Sequence, residues 1–94
     1  MHVLIAYDVS TIEPVGAKRL RRVARACKDY GQRAQKSLFE CHLSTTDWVS
    51  LRDRLLSEID LSEDSIRFYF LAGDTRIEHH GVNTPTDPTD ALIV

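Results

Sequence analysis

The chain has 94 residues, enough for one domain. A chain this short buries only roughly 60–65% of its unfolded surface, so self-association is an expectation from the outset. Its composition, 43% hydrophobic and 28% charged with a formal net charge of −2, excludes a uniformly basic nucleic-acid binder, and any such role must rest on a local patch. No apolar run approaches the ~20 residues of a membrane span and the first residues lack a basic secretory segment, so a cytoplasmic protein that meets no membrane is expected.

Val3, Leu4, Ile5, Ala6 and Tyr7 form a short, β-leaning apolar run that predicts a strand buried on both faces. Asp8 stands where this run gives way to Val9, Ser10 and Thr11. A carboxylate there either ends the strand and caps the next turn, or is held on rigid backbone within reach of a ligand. Pro14 is a natural first-turn residue, and a helix is predicted from about Val15 to Tyr30, closed by Gly31. Leu20, Val23, Ala24 and Cys27 follow helical spacing and form its core stripe. Lys18, Arg21, Arg22, Arg25 and Lys28 fall on the opposite face, with Arg19 flanking it. Little acid precedes Asp29, so no i,i+4 lacing neutralises the stripe. It is either a solvated surface or a phosphate-binding face, which would give affinity without sequence specificity.

From Gln32 to Leu43 the pattern turns extended, as either two short strands or one long strand with a bend, and although no Gly or Pro marks a turn a break is placed near Lys36–Leu38. Ser44, Thr45 and Thr46 offer caps for a second helix, whose stripe is Trp48, Leu51, Leu55, Leu56 and Ile59. Its outer face mixes signs and reads as plain solvent surface, and Trp48 reads as a core anchor rather than a base-stacking platform. Asp64 to Leu71 is a further strand. A short strand at 76–79 is suggested, and the apolar end, Ala91 to Val94, is expected to dock on the sheet or across a dimer interface. Cys27 and Cys41, the two cysteines, are expected to be reduced and buried. The count of elements, β-α-β-β-α-β with a trailing strand, predicts a single α+β domain over 1–94. It is of ferredoxin-like type, with an antiparallel sheet carrying both helices on one face.

Motif chemistry is sparse. There is no Gly-rich phosphate loop and no zinc spacing, and the adjacent His79 and His80 would point to opposite faces of a strand. Asp8 is the candidate catalytic carboxylate and metal ligand. Mg²⁺, or Mn²⁺, takes oxygen ligands and often uses one or two carboxylates plus substrate phosphates. Two chains meeting near this strand end would place two Asp8 carboxylates beside one phosphodiester.

The ordered set V-L-I-A-Y-D-V-S, a basic helix containing R-R-V-A and D-Y-G, then Q-R-A-Q-K-S-L-F-E-C and R-F-Y-F-L resembles the CRISPR-associated protein two family, the small CRISPR adaptation subunit. The resemblance runs in register across nearly the whole chain. It implies a ferredoxin-like homodimer whose C-terminal strand, within 72–94, extends the partner's sheet. It implies assembly with the CRISPR integrase, Cas one, on a short DNA duplex captured as a new spacer. It further implies metal-dependent endonuclease activity on duplex DNA or single-stranded RNA. Residue by residue, the family's strand-end Asp falls on Asp8, and the Arg, Ser and Phe of its second segment fall on Arg33, Ser37 and Phe39. Lys18, Arg19, Arg21, Arg22, Arg25 and Arg33 are then the expected nucleic-acid contacts, with Ser37 and Phe39 in support. Lys36 replaces a common aromatic and Ala34 a usual β-branched residue. The alternatives are a stand-alone toxin-like ribonuclease on the same fold and a small-molecule-binding regulatory domain.

Overall fold

The computed structural model describes residues 1–82 and runs β1 (His2–Asp8), α1 (Pro14–Tyr30), β2 (Gln32–Gln35), β3 (Leu38–His42), α2 (Thr45–Glu58) and β4 (Ser65–Leu71). The four strands form one sheet in the order β2-β3-β1-β4, with every pairing antiparallel. This is the expected α+β arrangement, with β1 in an interior position between β3 and β4. Ile5 pairs with Phe39 on one side and Phe68 on the other.

Alternation divides the sheet into two unlike faces. Val3, Ile5 and Tyr7 are buried and join Phe39 and Cys41 of β3, Val23, Ala26 and Cys27 of α1, and Leu51 and Leu55 of α2 in one core. The residues between them, His2, Leu4 and Ala6, are only half-buried, and Asp8 is exposed. The expectation that β1 is buried on both faces is therefore corrected. Both helices lie on one side, and among the described residues nothing covers the other.

Helix α1 starts at Pro14, whose missing N–H falls where a helix has no partner for it anyway. It closes where the Gly31 N–H donates to the Cys27 carbonyl, 2.9 Å away. Gly31 is required by space, since a Cβ there would lie 2.4 Å from both the Glu40 carbonyl and the Cys41 sulfur. The buried positions of α1 are Gly16, Val23, Ala26 and Cys27. Leu20 and Ala24, expected in the core stripe, are partly buried and pack against this core, and the part left exposed faces an open groove. The β2–β3 break falls as expected at Lys36 and Ser37, with an irregularity between Arg33 and Gln35.

Ser44 caps α2 by accepting from the Asp47 N–H at 3.1 Å. Trp48 is 9% exposed and packs edge-on against Phe68 and Phe70, with ring centres 4.8 and 5.2 Å away, so it is the anchor its spacing indicated. Residues 76–79 form no strand, which corrects the suggested one; they lack cross-strand partners among the described residues. The apolar end, Ala91 to Val94, lies outside the described residues, as does most of the expected docking tail. No helix among the described residues is long and apolar enough to cross a membrane.

Candidate functional site

Asp8 is the last residue of β1 and stands opposite Ser65 of β4, on the uncovered face of the sheet. Its carboxylate takes part in none of the ion pairs among the described residues. On the other flank, the Tyr7 N–H donates to the Ser37 carbonyl at 3.1 Å, which carries the β1–β3 pairing one step beyond Ala6 and Leu38. Ser37 thus sits beside the end of β1. Among the described residues no group of three or more His, Cys, Asp or Glu side chains is disposed to hold a metal ion. One chain alone therefore does not supply a metal cage. A single exposed carboxylate does fit Mg²⁺ or Mn²⁺ if a second chain and substrate phosphates complete the shell.

The helix side of the same strand end opens into a groove of about 1120 Å³ between α1 and the β2–β3 hairpin. Lys18, Arg21, Arg22, Arg25, Arg33 and Ser37 all line it, so the fold brings together six of the expected residues. Lys28 and Lys36 join them. Tyr7, Leu20 and Ala24 supply apolar lining beneath this cationic rim. Burial, with the Cys27 thiol beside it, pushes the Tyr7 phenol up to about 12 against the opposing pull of Arg33, so the hydroxyl stays protonated at neutral pH.

Neutralisation within the groove comes from α2 and the end of α1 rather than from i,i+4 lacing. Arg54 donates to Asp29 at 2.7 Å, and Arg22 lies 3.9 Å from Glu58. The outer face of α2 is therefore not plain solvent surface, as its mixed signs suggested, because Arg54 ties it to α1. Lys18, Arg21, Arg25, Lys28, Arg33 and Lys36 enter no ion pair among the described residues. Arg33 is nevertheless well oriented. Its guanidinium carbon lies 4.9 Å above the Phe39 ring and it donates to the Lys36 carbonyl at 2.7 Å. Phe39 itself is fully buried and stacks toward Tyr7 at 6.2 Å, so it supports Arg33 from within the core.

Arg19 is placed apart from the other cations of α1 and does not line the groove. Its guanidinium grips Asp64 through two hydrogen bonds, at 2.9 and 3.1 Å. The Asp64 side chain is fully buried and also accepts from the Ser10 N–H at 3.0 Å and the Asp60 N–H at 2.9 Å. The Arg19 hydrogen bond is the main reason that the Asp64 carboxyl is held well below the usual range, at about 2. Arg19, expected among the phosphate contacts, thus already has a partner within the chain. In the sequence Asp64 reads only as a strand start, and no local signal joins it to a residue 45 positions away. Lys28 and Lys36 were visible in the sequence as a face residue and a departure, but only the groove unites them with Arg33.

Three comparisons bear on this geometry. A family model described as CRISPR associated protein Cas2 matches residues 1–77. A protein of Chlorobaculum tepidum named CRISPR-associated endoribonuclease Cas2 is 49% identical over 96 residues, covering 100% of both chains. One from Halalkalibacterium halodurans named CRISPR-associated endonuclease Cas2 is 48% identical over 95 residues, covering 99% of each. Among solved structures, Streptococcus pyogenes Cas2 at pH 6.5 superposes with a TM-score of 0.76 at 49% identity, covering 86% of this chain and 100% of that one.

Proposed function

This chain belongs to the CRISPR-associated Cas2 family, and from that premise we propose that it is a nucleic-acid-binding CRISPR adaptation subunit. In this reading it works as a homodimer, scaffolds the integrase Cas one on duplex DNA, and hydrolyses phosphodiesters with Mg²⁺ or Mn²⁺ at Asp8. The observation that carries it is the pairing of one exposed strand-end carboxylate with a groove of six cations that lack ion-pair partners among the described residues. Two relatives covering the whole chain are named endoribonucleases and one covering 99% of it is named an endonuclease, which supports the hydrolytic part.

The division of labour follows from the two faces of the sheet. On the helix side, Lys18, Arg21, Arg25 and Lys28 recur about once per turn, and Arg33 and Lys36 form the facing wall. In this reading each neutralises a phosphate and releases a counterion, which would give sequence-independent affinity. On the open side, Leu4, Ala6, Leu38 and Tyr69 sit around β1 on a surface that has no cover among the described residues. Pairing two such faces about a two-fold axis buries that apolar area and brings two Asp8 carboxylates toward one another. Asp8 is the residue that would hold a divalent ion, which when bound would supply a Lewis acid for the phosphoryl oxygen and lower the pKa of a bound water. In this reading each Asp8 would contribute one oxygen ligand, and the groove cations would hold the nucleic-acid strand.

The test is cleavage of labelled duplex DNA and single-stranded RNA by the purified protein, with Mg²⁺ against EDTA and Asp8→Asn beside wild type. Cleavage that requires both metal and Asp8 is expected, and the better substrate identifies the nucleic acid. Cleavage indifferent to Asp8 would overturn the hydrolytic part and leave a scaffold.

A further inference from the structure

The residues after Asp8 are clamped from two directions. Ser10, two positions beyond Asp8, donates its N–H to Asp64 at 3.0 Å. The residue after Asp64, Ser65, is the β4 partner that stands opposite Asp8. One buried carboxylate therefore holds both the segment leaving β1 and the segment entering β4, on either side of the candidate metal ligand. From the helix side, Gly16 lets the first turn of α1 close over the same segment. A Cβ on Gly16 would sit 1.9 Å from the Ser10 carbonyl oxygen, against backbone that cannot swing aside. Between these contacts Val9 is 7% exposed and anchored in the core. Asp64 is itself fixed by Arg19, whose two parallel hydrogen bonds set the carboxylate plane as well as its position.

We propose that Arg19 and Asp64 are positioning residues for Asp8: their buried pair holds the end of β1 so that the Asp8 carboxylate meets the metal in one fixed orientation. The proposal rests on the Asp8 reading above. Arg19 then serves the reaction without touching nucleic acid, and a pair that looks purely structural controls the geometry of the site. In a site assembled from two chains the error recurs at both carboxylates, and misplacement of roughly 1 Å is enough to reduce a rate by about 10²-fold.

The variants are Asp64→Asn and Arg19→Lys, which keep shape or charge. They are read at a temperature where far-UV circular dichroism shows full folding and sedimentation shows the wild-type association state. Mn²⁺ affinity is measured by electron paramagnetic resonance, with Asp8→Asn as the reference for loss of the site. The kcat and KM for cleavage are measured alongside. In Asp64→Asn, Mn²⁺ affinity and kcat are expected to fall together by roughly ten- to a hundred-fold. KM stays within about two-fold, because no phosphate contact is removed, and Arg19→Lys, retaining one of the two hydrogen bonds, falls between this variant and wild type. Unchanged Mn²⁺ affinity and kcat in both variants would overturn the proposal alone. A raised KM at constant kcat in Arg19→Lys would return Arg19 to the phosphate-binding set. A wild-type protein without any Asp8-dependent Mn²⁺ binding would overturn the Asp8 reading first, and this inference with it.

Discussion

Arg19 and Arg22 lie three positions apart on α1 and carry the same side chain, yet the fold assigns them opposite fates. Arg22 is exposed and 3.9 Å from Glu58, whereas Arg19 is bound by Asp64, whose side chain is shielded from solvent. Burying a carboxylate is costly unless it is paired and hydrogen-bonded, and Asp64 has four donors around it. Its folded pKa, about 2, lies below the roughly 3.9 of an unfolded Asp. The pair's contribution to stability is thus fully present above about pH 4 and is lost as the pH falls toward about 2. Urea unfolding midpoints of wild type and Asp64→Asn are accordingly expected to differ most at pH 7 and to converge as the pH is lowered below about 4. A gap that stays constant across this range would show that the Asp64 charge does not stabilise the fold.

At the scale of the element, α1 has two uses for one amphipathic pattern. Val23, Ala26 and Cys27 enter the core, Leu20 and Ala24 line the groove, and the cations stand along its rim. The helical period was legible because it is local, as were the Pro14 start and the Gly31 stop. What the period could not reveal is which cations are already satisfied. Charge reversal at Arg21 and Arg25 together is expected to weaken binding to duplex DNA about equally for all sequences. It should also flatten the slope of log affinity against log salt by roughly one unit or more per residue. Arg19→Lys leaves that slope unchanged. The measurement is fluorescence anisotropy on a labelled duplex at a series of salt concentrations; an equal effect from all three positions would mean that the groove does not define the binding face.

On the scale of the whole molecule, the decisive asymmetry is a sheet with one face covered by helices and the other carrying Leu4, Leu38 and Tyr69 with nothing over them among the described residues. Tyr69 remains 44% exposed even though its hydroxyl lies 3.3 Å from Arg67. An uncovered apolar face of this kind suits association in a domain of this size, whose own core is small. Sedimentation velocity is expected to find a two-chain species for wild type, and Leu4→Glu on the open face is expected to shift it to single chains without loss of helix. If the dimer persists in Leu4→Glu, association uses another surface and Asp8 is not paired through this one.

The order β-α-β-β-α-β of the elements up to Leu71, the α+β class, the two helical stripes, the Trp48 anchor and the family were all determined by the sequence alone. Each depends on local period, on caps and breaks, or on an ordered series of short motifs, and these signals survive without knowledge of long-range contacts. Tertiary structure decided which face of β1 is open, because a continuous apolar run conceals the alternation that burial reveals. It also decided the partners of charge. Asp64 reaches Arg19 across 45 positions and Arg54 reaches Asp29 across 25, and no window along the chain contains both members of either pair. Likewise, the groove exists only once the β2–β3 hairpin stands beside α1, placing Arg33 and Lys36 opposite a helix whose cations were already visible. Pattern determines what a residue offers, whereas packing determines whether another part of the chain has already taken it.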